Sequence, residues 1–164
     1  MSTPLRILGI DPGFDRLGFG VVEMRGADVS WVAHGCLQTS KADDYSLRLQ
    51  QVRDEMKRVI EEYKPVAVAV EQLFFSNNAK TAMKVGMARG VVLLAIQDAG
   101  LPLVEITPNQ VKNGLTGWGG ADKKQVQEMV MRTLKLKEIP KPDDAADALA
   151  IAIVGGFIYK TPRI

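Results

Sequence analysis

Apolar and polar positions along the N-terminal part of the chain predict three strands. Residues 6–10 form an apolar run that ends at Asp11 and a Pro-Gly turn. Residues 17–24 and 29–39 alternate apolar and polar positions on either side of a short turn. Because a period of two and a short connection are typical of neighbouring antiparallel strands, the pattern predicts an antiparallel meander.

The middle of the chain changes to alternating helices and apolar strands. Helical spacing over residues 43–63 predicts an amphipathic helix, and residues 77–99 predict a second, longer one. Residues 66–70 and 103–106 form β-rich apolar runs, which are typical of parallel strands buried on both faces. The prediction is an α/β fold whose mixed five-stranded sheet has three antiparallel strands, then two parallel ones, with helices on both faces.

The C-terminal part predicts three further helices. Thr107 and the following proline supply the start of the first, and Asp122 opens the second after a Gly-rich loop. Asp143 lies at the start of a closing, strongly apolar helix. We expect residues 1–164 to form a single domain, with a short tail after about residue 158.

The composition excludes several kinds of site. Cys36 is the only cysteine and His34 the only histidine. This excludes intrachain disulfides, a Cys/His zinc site and most Cys-His or Ser-His catalytic arrangements, so any metal is held mainly by oxygen. No run has the length of a membrane span and the first residues lack a signal-peptide pattern, so we expect a soluble, cytoplasmic protein without membrane association.

Charge is distributed unevenly along the chain. The net charge of +2 does not by itself indicate a nucleic-acid binder, but basic residues outnumber acidic ones between Lys112 and Lys141. Lys123 and Lys124 lie in the first turn of a predicted helix, where cations oppose the helix dipole. A phosphate bound at that helix start would relieve the conflict, and a solvated surface is the alternative.

Two carboxylates directly follow apolar strands. If those strands are parallel neighbours, Asp11 and Glu71 emerge at the same edge of the sheet, where they repel each other and a divalent cation is the usual remedy. The alternatives are that Asp11 belongs to an ordinary turn and that Glu71 caps the following helix.

The closing helix adds further acids. Asp144 and Asp147 are three residues apart and share a face, and Asp143 suits the N-cap position. Spacing alone also allows Asp143 to pair with Asp147. The strand-end acids and two helical acids together predict an oxygen-only site for two Mg²⁺ or Mn²⁺ ions, suited to phosphodiester hydrolysis.

Small residues recur every fourth position in the longer helix, at Ala82, Gly86 and Gly90, and Met83 and Met87 lie on a neighbouring face. Interior glycines each cost about 1 kcal/mol relative to alanine, so we expect another backbone to approach this face. The pattern predicts a symmetric homodimer through this helix. Burial inside the monomer is the competing account.

Five segments resemble the bacterial RuvC family of Holliday junction resolvases: residues 9–13, 70–78, 86–90, 110–112 and 144–150. The resemblance extends from about residue 5 to residue 157. It implies an RNase H-like fold and a homodimer that acts on four-way junction DNA in homologous recombination and DNA repair. It also implies paired nicks that leave 5′-phosphate and 3′-hydroxyl ends, and cooperation with the RuvA and RuvB branch-migration proteins.

The resemblance assigns residues by position. It implies that catalysis and metal binding belong to Asp11, Glu71, Asp144 and Asp147. Phe74 matches an aromatic residue near the junction point; Phe75 is the other candidate for the exposed ring, and a core phenylalanine is the alternative. Lys112 and Lys123 match basic residues near the scissile phosphate, and Lys124 adds a further charge.

Other functions compete with this interpretation. The first alternative is an RNase H-type nuclease acting on RNA–DNA hybrids. An actin-like kinase or ATPase encloses its nucleotide between two lobes, for which 164 residues leave no room. A DNA-binding module without catalysis is the third.

Overall fold

The computed structural model describes residues 3–72 and 78–161. The elements follow one another in the order β1 (Leu5–Asp11), β2 (Arg16–Arg25), β3 (Asp28–Gln38), α1 (Tyr45–Tyr63), β4 (Ala67–Glu71), α2 (Ala79–Asp98), β5 (Leu103–Ile106), α3 (Pro108–Thr116), α4 (Lys123–Thr133) and α5 (Asp143–Lys160). Within the described ranges, no helix is both long and apolar enough to cross a bilayer.

The strands form one five-stranded sheet in the order β3-β2-β1-β4-β5. The β1–β2 and β2–β3 pairs are antiparallel, whereas the β1–β4 and β4–β5 pairs are parallel. Ile10 is in register with Val70, so β1 and β4 end side by side. The predicted mixed sheet, with its central parallel pair, is confirmed.

Helices cover both faces of the sheet, as predicted. Side chains alternate along β1, so Ile7 joins a core with Leu149 of α5, whereas Leu8 joins a second core with Val52 of α1 and Val92 of α2. Helices α3 and α4 contribute to the first of these cores. The face that carries Ile7 is called the α5 face below.

The start of α5 lies directly on the sheet because β2 carries glycines beneath it. A Cβ atom at Gly18 would lie 2.5 Å from the carbonyl carbon of Asp144, and one at Gly20 would lie 2.6 Å from the amide nitrogen of Leu149. Any side chain at these positions would therefore displace the helix backbone. The glycines fix the height of α5 above the sheet.

The start of α5 differs from the prediction in one respect. Asp143 was expected to be the N-cap, but Pro142 holds that position and Asp143 is the first helical residue. The amides of Ala145 and Ala146 donate to the carbonyl of Pro142. The Asp143 carboxylate instead faces α4, as described below. Helix α5 ends at Lys160, and the short tail after about residue 158 stays a prediction.

Candidate active site

Asp11 and Glu71 are the last residues of β1 and β4. Ala67 and Ala69 belong to the core under α5, so the alternation along β4 places Glu71 on the α5 face, just as it places Asp11 two positions after Gly9. The alternative that Glu71 caps the next helix is wrong, because Asn78 is the N-cap of α2 and its side chain accepts a hydrogen bond from the Thr81 amide.

The first turns of α5 bring further carboxylates to this edge. The backbone of Asp144 rests on Gly18, and Gly18 is the β2 partner of Asp11 in the antiparallel register. Asp147 lies one turn further along the same helix. The sheet and α5 thus hold four acids, two on strand ends and two on one helix, around a common edge.

Electrostatics shows that Asp11 is the centre of this group. Its pKa is raised to about 8, mainly by burial and then by the charges of Asp147, Glu71 and Asp144 in that order. Lys123 acts in the opposite direction. Three carboxylates must lie close to Asp11 to exert this effect, so the grouping expected from the sequence is present.

The pKa values of Glu71 and Asp147 are also raised. Burial raises the pKa of Glu71, and the charge of Asp147 adds to the effect while Lys112 opposes it. Burial also raises the pKa of Asp147, and this outweighs the opposing influence of Lys123. These carboxylates destabilise one another in the absence of added positive charge.

Two cationic side chains contact the acids. Lys123 Nζ lies 3.4 Å from Asp143 Oδ2 and 3.5 Å from Asp147 Oδ2. Arg16 Nη1 lies 3.4 Å from Asp144 Oδ2. Although burial alone lowers the pKa of Lys123, the two aspartates raise it, so its ammonium group stays charged.

Arg16 was missed by the sequence analysis. The available signal was its position at the start of β2, because a tight antiparallel connection from β1 returns the chain to the edge where Asp11 lies. The structure also places Asp143 further from Asp11 in its effect: Asp143 shares Lys123 with Asp147 and accepts a hydrogen bond from Gln127, but it is absent from the groups that act on the pKa of Asp11.

The predicted DNA-binding residues have different outcomes. Lys112 lies on α3 near enough to Glu71 to act on its pKa. Lys123 lies within the acidic group, and Lys124 is exposed beside it on the first turn of α4. Phe74 and Phe75 lie outside the described residues.

The predicted dimer face lies on α2. Met83 is 70% exposed, and a Cβ atom at Gly86 or Gly90 would have no neighbouring atom within 4 Å. Ala82 is partly buried and Met87 is exposed on the same helix. Burial of the two glycines inside the monomer, the competing account, is therefore wrong for the described chain.

The donor set fits divalent ions that prefer oxygen. In the described part of the chain, no group of three or more His, Cys, Asp or Glu side chains is arranged to hold a metal as it stands. The carboxylates of Asp144 and Asp147 are instead turned towards Arg16 and Lys123. Nevertheless, four mutually repelling carboxylates at one buried edge are the donor chemistry that Mg²⁺ and Mn²⁺ require.

The fold, with a group of acids at the ends of its central strands, defines a class: the nucleases with an RNase H-like fold. The model of the family "Crossover junction endodeoxyribonuclease RuvC" matches residues 7–155. The chain therefore belongs to the RuvC family of endonucleases.

Similar proteins agree with this assignment. The RuvC protein of Thermosipho melanesiensis is 53% identical over 148 residues, which cover 90% of this chain and 94% of that protein. The structure of Thermus thermophilus RuvC in complex with a Holliday junction substrate has a TM-score of 0.91 and 39% identity, covering 95% of each chain. The yeast mitochondrial resolvase Ydc2, at 15% identity and a TM-score of 0.64, shares the fold.

Proposed function

We propose that this protein is a homodimeric, divalent-metal-dependent endonuclease that resolves four-way DNA junctions. The main support for the proposal is that Glu71, Asp144 and Asp147 converge on Asp11. Their charges contribute to the raised pKa of Asp11. The structure of a similar protein, Thermus thermophilus RuvC, is of a complex with a Holliday junction substrate, which supports the choice of DNA.

In the proposed reaction, Asp11, Glu71, Asp144 and Asp147 hold two Mg²⁺ or Mn²⁺ ions. The chemistry that bound ions supply in such a site is activation of a water and neutralisation of charge on the leaving 3′ oxygen, which gives 5′-phosphate and 3′-hydroxyl ends. Arg16 and Lys123 neutralise the helical acids before ions bind, and they must give up part of that contact when the carboxylates turn towards the strand-end acids.

Substrate binding is assigned to basic side chains around the acids. Lys112 and Lys123 lie beside Glu71 and Asp147, where they can contact phosphates next to the scissile bond, and Lys124 adds positive charge at the surface. Affinity for the junction should fall as salt rises, because bound cations are released from the DNA. Phe74 and Phe75 are proposed as stacking residues.

The dimer is proposed to form through α2. The methionines on α2 are exposed and the two glycines are open, so a second copy of the helix can approach this side closely. Two sites related by a two-fold axis would place symmetric nicks on a near-symmetric junction. The RuvA and RuvB branch-migration proteins complete the proposed set of partners.

The test is a cleavage assay on a synthetic immobile junction with Mg²⁺, in which both nick positions are mapped. Asp11→Asn should bind the junction with unchanged affinity and leave it uncut. Asp143→Asn is the matched control, because this neighbour of Asp144 does not act on Asp11 and should retain nicking within several-fold. Full nicking by Asp11→Asn would reject the assigned site.

A hydrolase acting on RNA–DNA hybrids is the second candidate, since the fold and the four acids suit it equally. Incubating the same protein preparation with an RNA–DNA hybrid of matched length, and assaying for nicks, distinguishes the two functions. We expect nicks in the junction and an intact hybrid; the reverse result would replace the proposed substrate.

A further inference from the structure

Trp118 is a large apolar side chain that the proposed chemistry does not use. It lies between α3 and α4 in the loop of residues 117–120, and it is 61% exposed. The exposure of a tryptophan is either incidental or a sign that the residue belongs to a contact surface. The geometry of the loop and its position in the fold distinguish these possibilities.

The loop is built to hold the indole in place. Gly117 ends α3 with a φ of 75°, a conformation that favours glycine. The Trp118 amide donates to Thr116 Oγ1 at 3.1 Å, and the single hydrogen of that hydroxyl is shared between the Lys112 carbonyl at 2.7 Å and the Trp118 carbonyl at 2.9 Å. The ring lies against Gly120, where a Cβ atom would come within 2.6 Å of ring carbon Cζ2. An ordered, exposed ring loses little conformational entropy when a ligand binds.

The loop lies at the edge of the sheet that carries the acids. Glu71 is in register with Ile106, and Thr107 caps α3 directly after it. Gly119 lies against the side chain of Asn109 in the first turn of α3. On the other side, Ala121 donates to the Trp118 carbonyl, and α4 begins two residues later with the lysine that contacts Asp147.

The charges near the ring suit a polyanion. Lys112 on α3 and Lys123 and Lys124 on α4 flank the loop, and Asp122 is engaged as the N-cap of α4. An exposed aromatic ring on a loop whose two flanking helices carry these cations matches the way proteins bind the bases and phosphates of nucleic acids. The ring also lines a small groove along α4, where Ala121 and Met129 lie beside Glu128 and Arg132. A protein partner that filled this groove is the competing occupant, and the test below separates it from DNA.

We infer that Trp118 is a DNA-contacting ring that stacks on a nucleotide of the junction arm next to the scissile phosphate. The inference rests on the proposed function, because it takes the junction as the substrate. It adds an aromatic contact on the α3–α4 side of the site, at a residue other than Phe74 and Phe75.

The sequence provides a direct spectroscopic test. The protein has two tryptophans, and Trp31, the other one, lies on β3 with its indole donating to His34 Nδ1 at 2.9 Å. Trp31→Phe therefore leaves Trp118 as the single reporter, and Trp118→Phe leaves Trp31 as the matched control. Both proteins are titrated with a synthetic immobile junction in EDTA. Acrylamide quenching of tryptophan fluorescence is then measured for the free protein and for the protein saturated with the junction.

We expect junction binding to lower the acrylamide quenching constant of Trp118 at least about two-fold, with no change for Trp31. Trp118→Ala should weaken junction affinity roughly 5- to 50-fold by gel shift, and Trp118→Phe should restore most of it, since a smaller ring still stacks. An indole that stays equally accessible in the saturated complex, or full affinity in Trp118→Ala, would overturn the inference and leave this ring to a protein partner.

The two levels of the proposal fail differently. If Trp31→Phe binds and nicks the junction while Trp118 fluorescence is unaffected, only the inference fails. If wild-type protein neither binds nor nicks the junction, the proposed function fails and the inference fails with it.

Discussion

Gly18 and Asp144 are in backbone contact: a Cβ atom at Gly18 would lie 2.5 Å from the Asp144 carbonyl carbon. This contact sets how closely the first turn of α5 approaches β1 and β2, and so how closely Asp144 and Asp147 approach Asp11. A residue with no side chain thus determines the geometry of the site.

Gly18→Ala should abolish most nicking, because the helix must shift away from the sheet to admit the methyl group. Val22→Ala is the matched control on the same face of the same strand, since it removes buried packing without touching the start of α5. Both should lower the melting temperature. Only Gly18→Ala should also weaken Mn²⁺ binding in isothermal titration, and equal Mn²⁺ affinity in the two variants would contradict this role of Gly18.

Asp11→Asn should stabilise the metal-free protein. The pKa of Asp11 is about 8 in the folded state against an ordinary value of 3.8, so folded Asp11 keeps a proton that the unfolded chain releases. The free energy of unfolding of the wild-type protein therefore falls as pH rises from about 4 to about 8, by up to about 1.4 kcal/mol per pH unit. The amide mimics the protonated acid, so Asp11→Asn should gain up to about 5 kcal/mol over wild type at pH 8.

The measurement is chemical denaturation in EDTA from pH 5 to pH 8.5, with the exposed Glu61→Gln as control. The difference between wild type and Asp11→Asn should grow with pH and then level off. A difference that is constant over this range would show that Asp11 is not held protonated.

Arg16→Gln should tighten Mn²⁺ binding by up to about five-fold, because the ion no longer competes with a guanidinium for Asp144 and a partly exposed ion pair contributes up to about 1 kcal/mol. Arg53→Gln, which removes an exposed pair with Asp54 on α1, is the control and should leave affinity unchanged. Weaker binding in Arg16→Gln would indicate that the arginine instead orients Asp144 for the ion.

Gly90→Glu should convert the protein to a monomer in sedimentation velocity, because a charged side chain would enter the proposed helix–helix contact. Lys80→Glu reverses a charge on an exposed position of the same helix and should leave the dimer intact. A Gly90→Glu protein that sediments as a dimer would place the interface elsewhere.

Much of this architecture could be predicted from the sequence. Unbroken apolar runs identified β1 and β4 as central strands, and a strand that ends in a carboxylate placed Asp11 and Glu71 at one edge. The choice among Asp143, Asp144 and Asp147 could not be made from spacing, because positions three and four apart are both neighbours on a helix. That choice depends on how α5 lies on Gly18, which is a tertiary contact.

The cations that contact the acids show the same limit. Lys123 was expected to meet a phosphate, and its contacts with Asp143 and Asp147 join residues that are twenty or more positions apart in the chain. The signal for Arg16 was its position at the start of β2, which places it at the edge of the sheet but does not identify its partner. Local periodicity reports which face is buried, whereas long-range ion pairs follow from how whole elements pack.

The central claim is that Asp11, Glu71, Asp144 and Asp147 together hold divalent ions. The most direct measurement is anomalous diffraction from crystals of the protein soaked in Mn²⁺. The account predicts strong peaks between Asp11 and the other three carboxylates, with Asp144 and Asp147 turned away from Arg16 and Lys123. Peaks bound elsewhere, with both ion pairs intact and Asp11 without a metal neighbour, would contradict it.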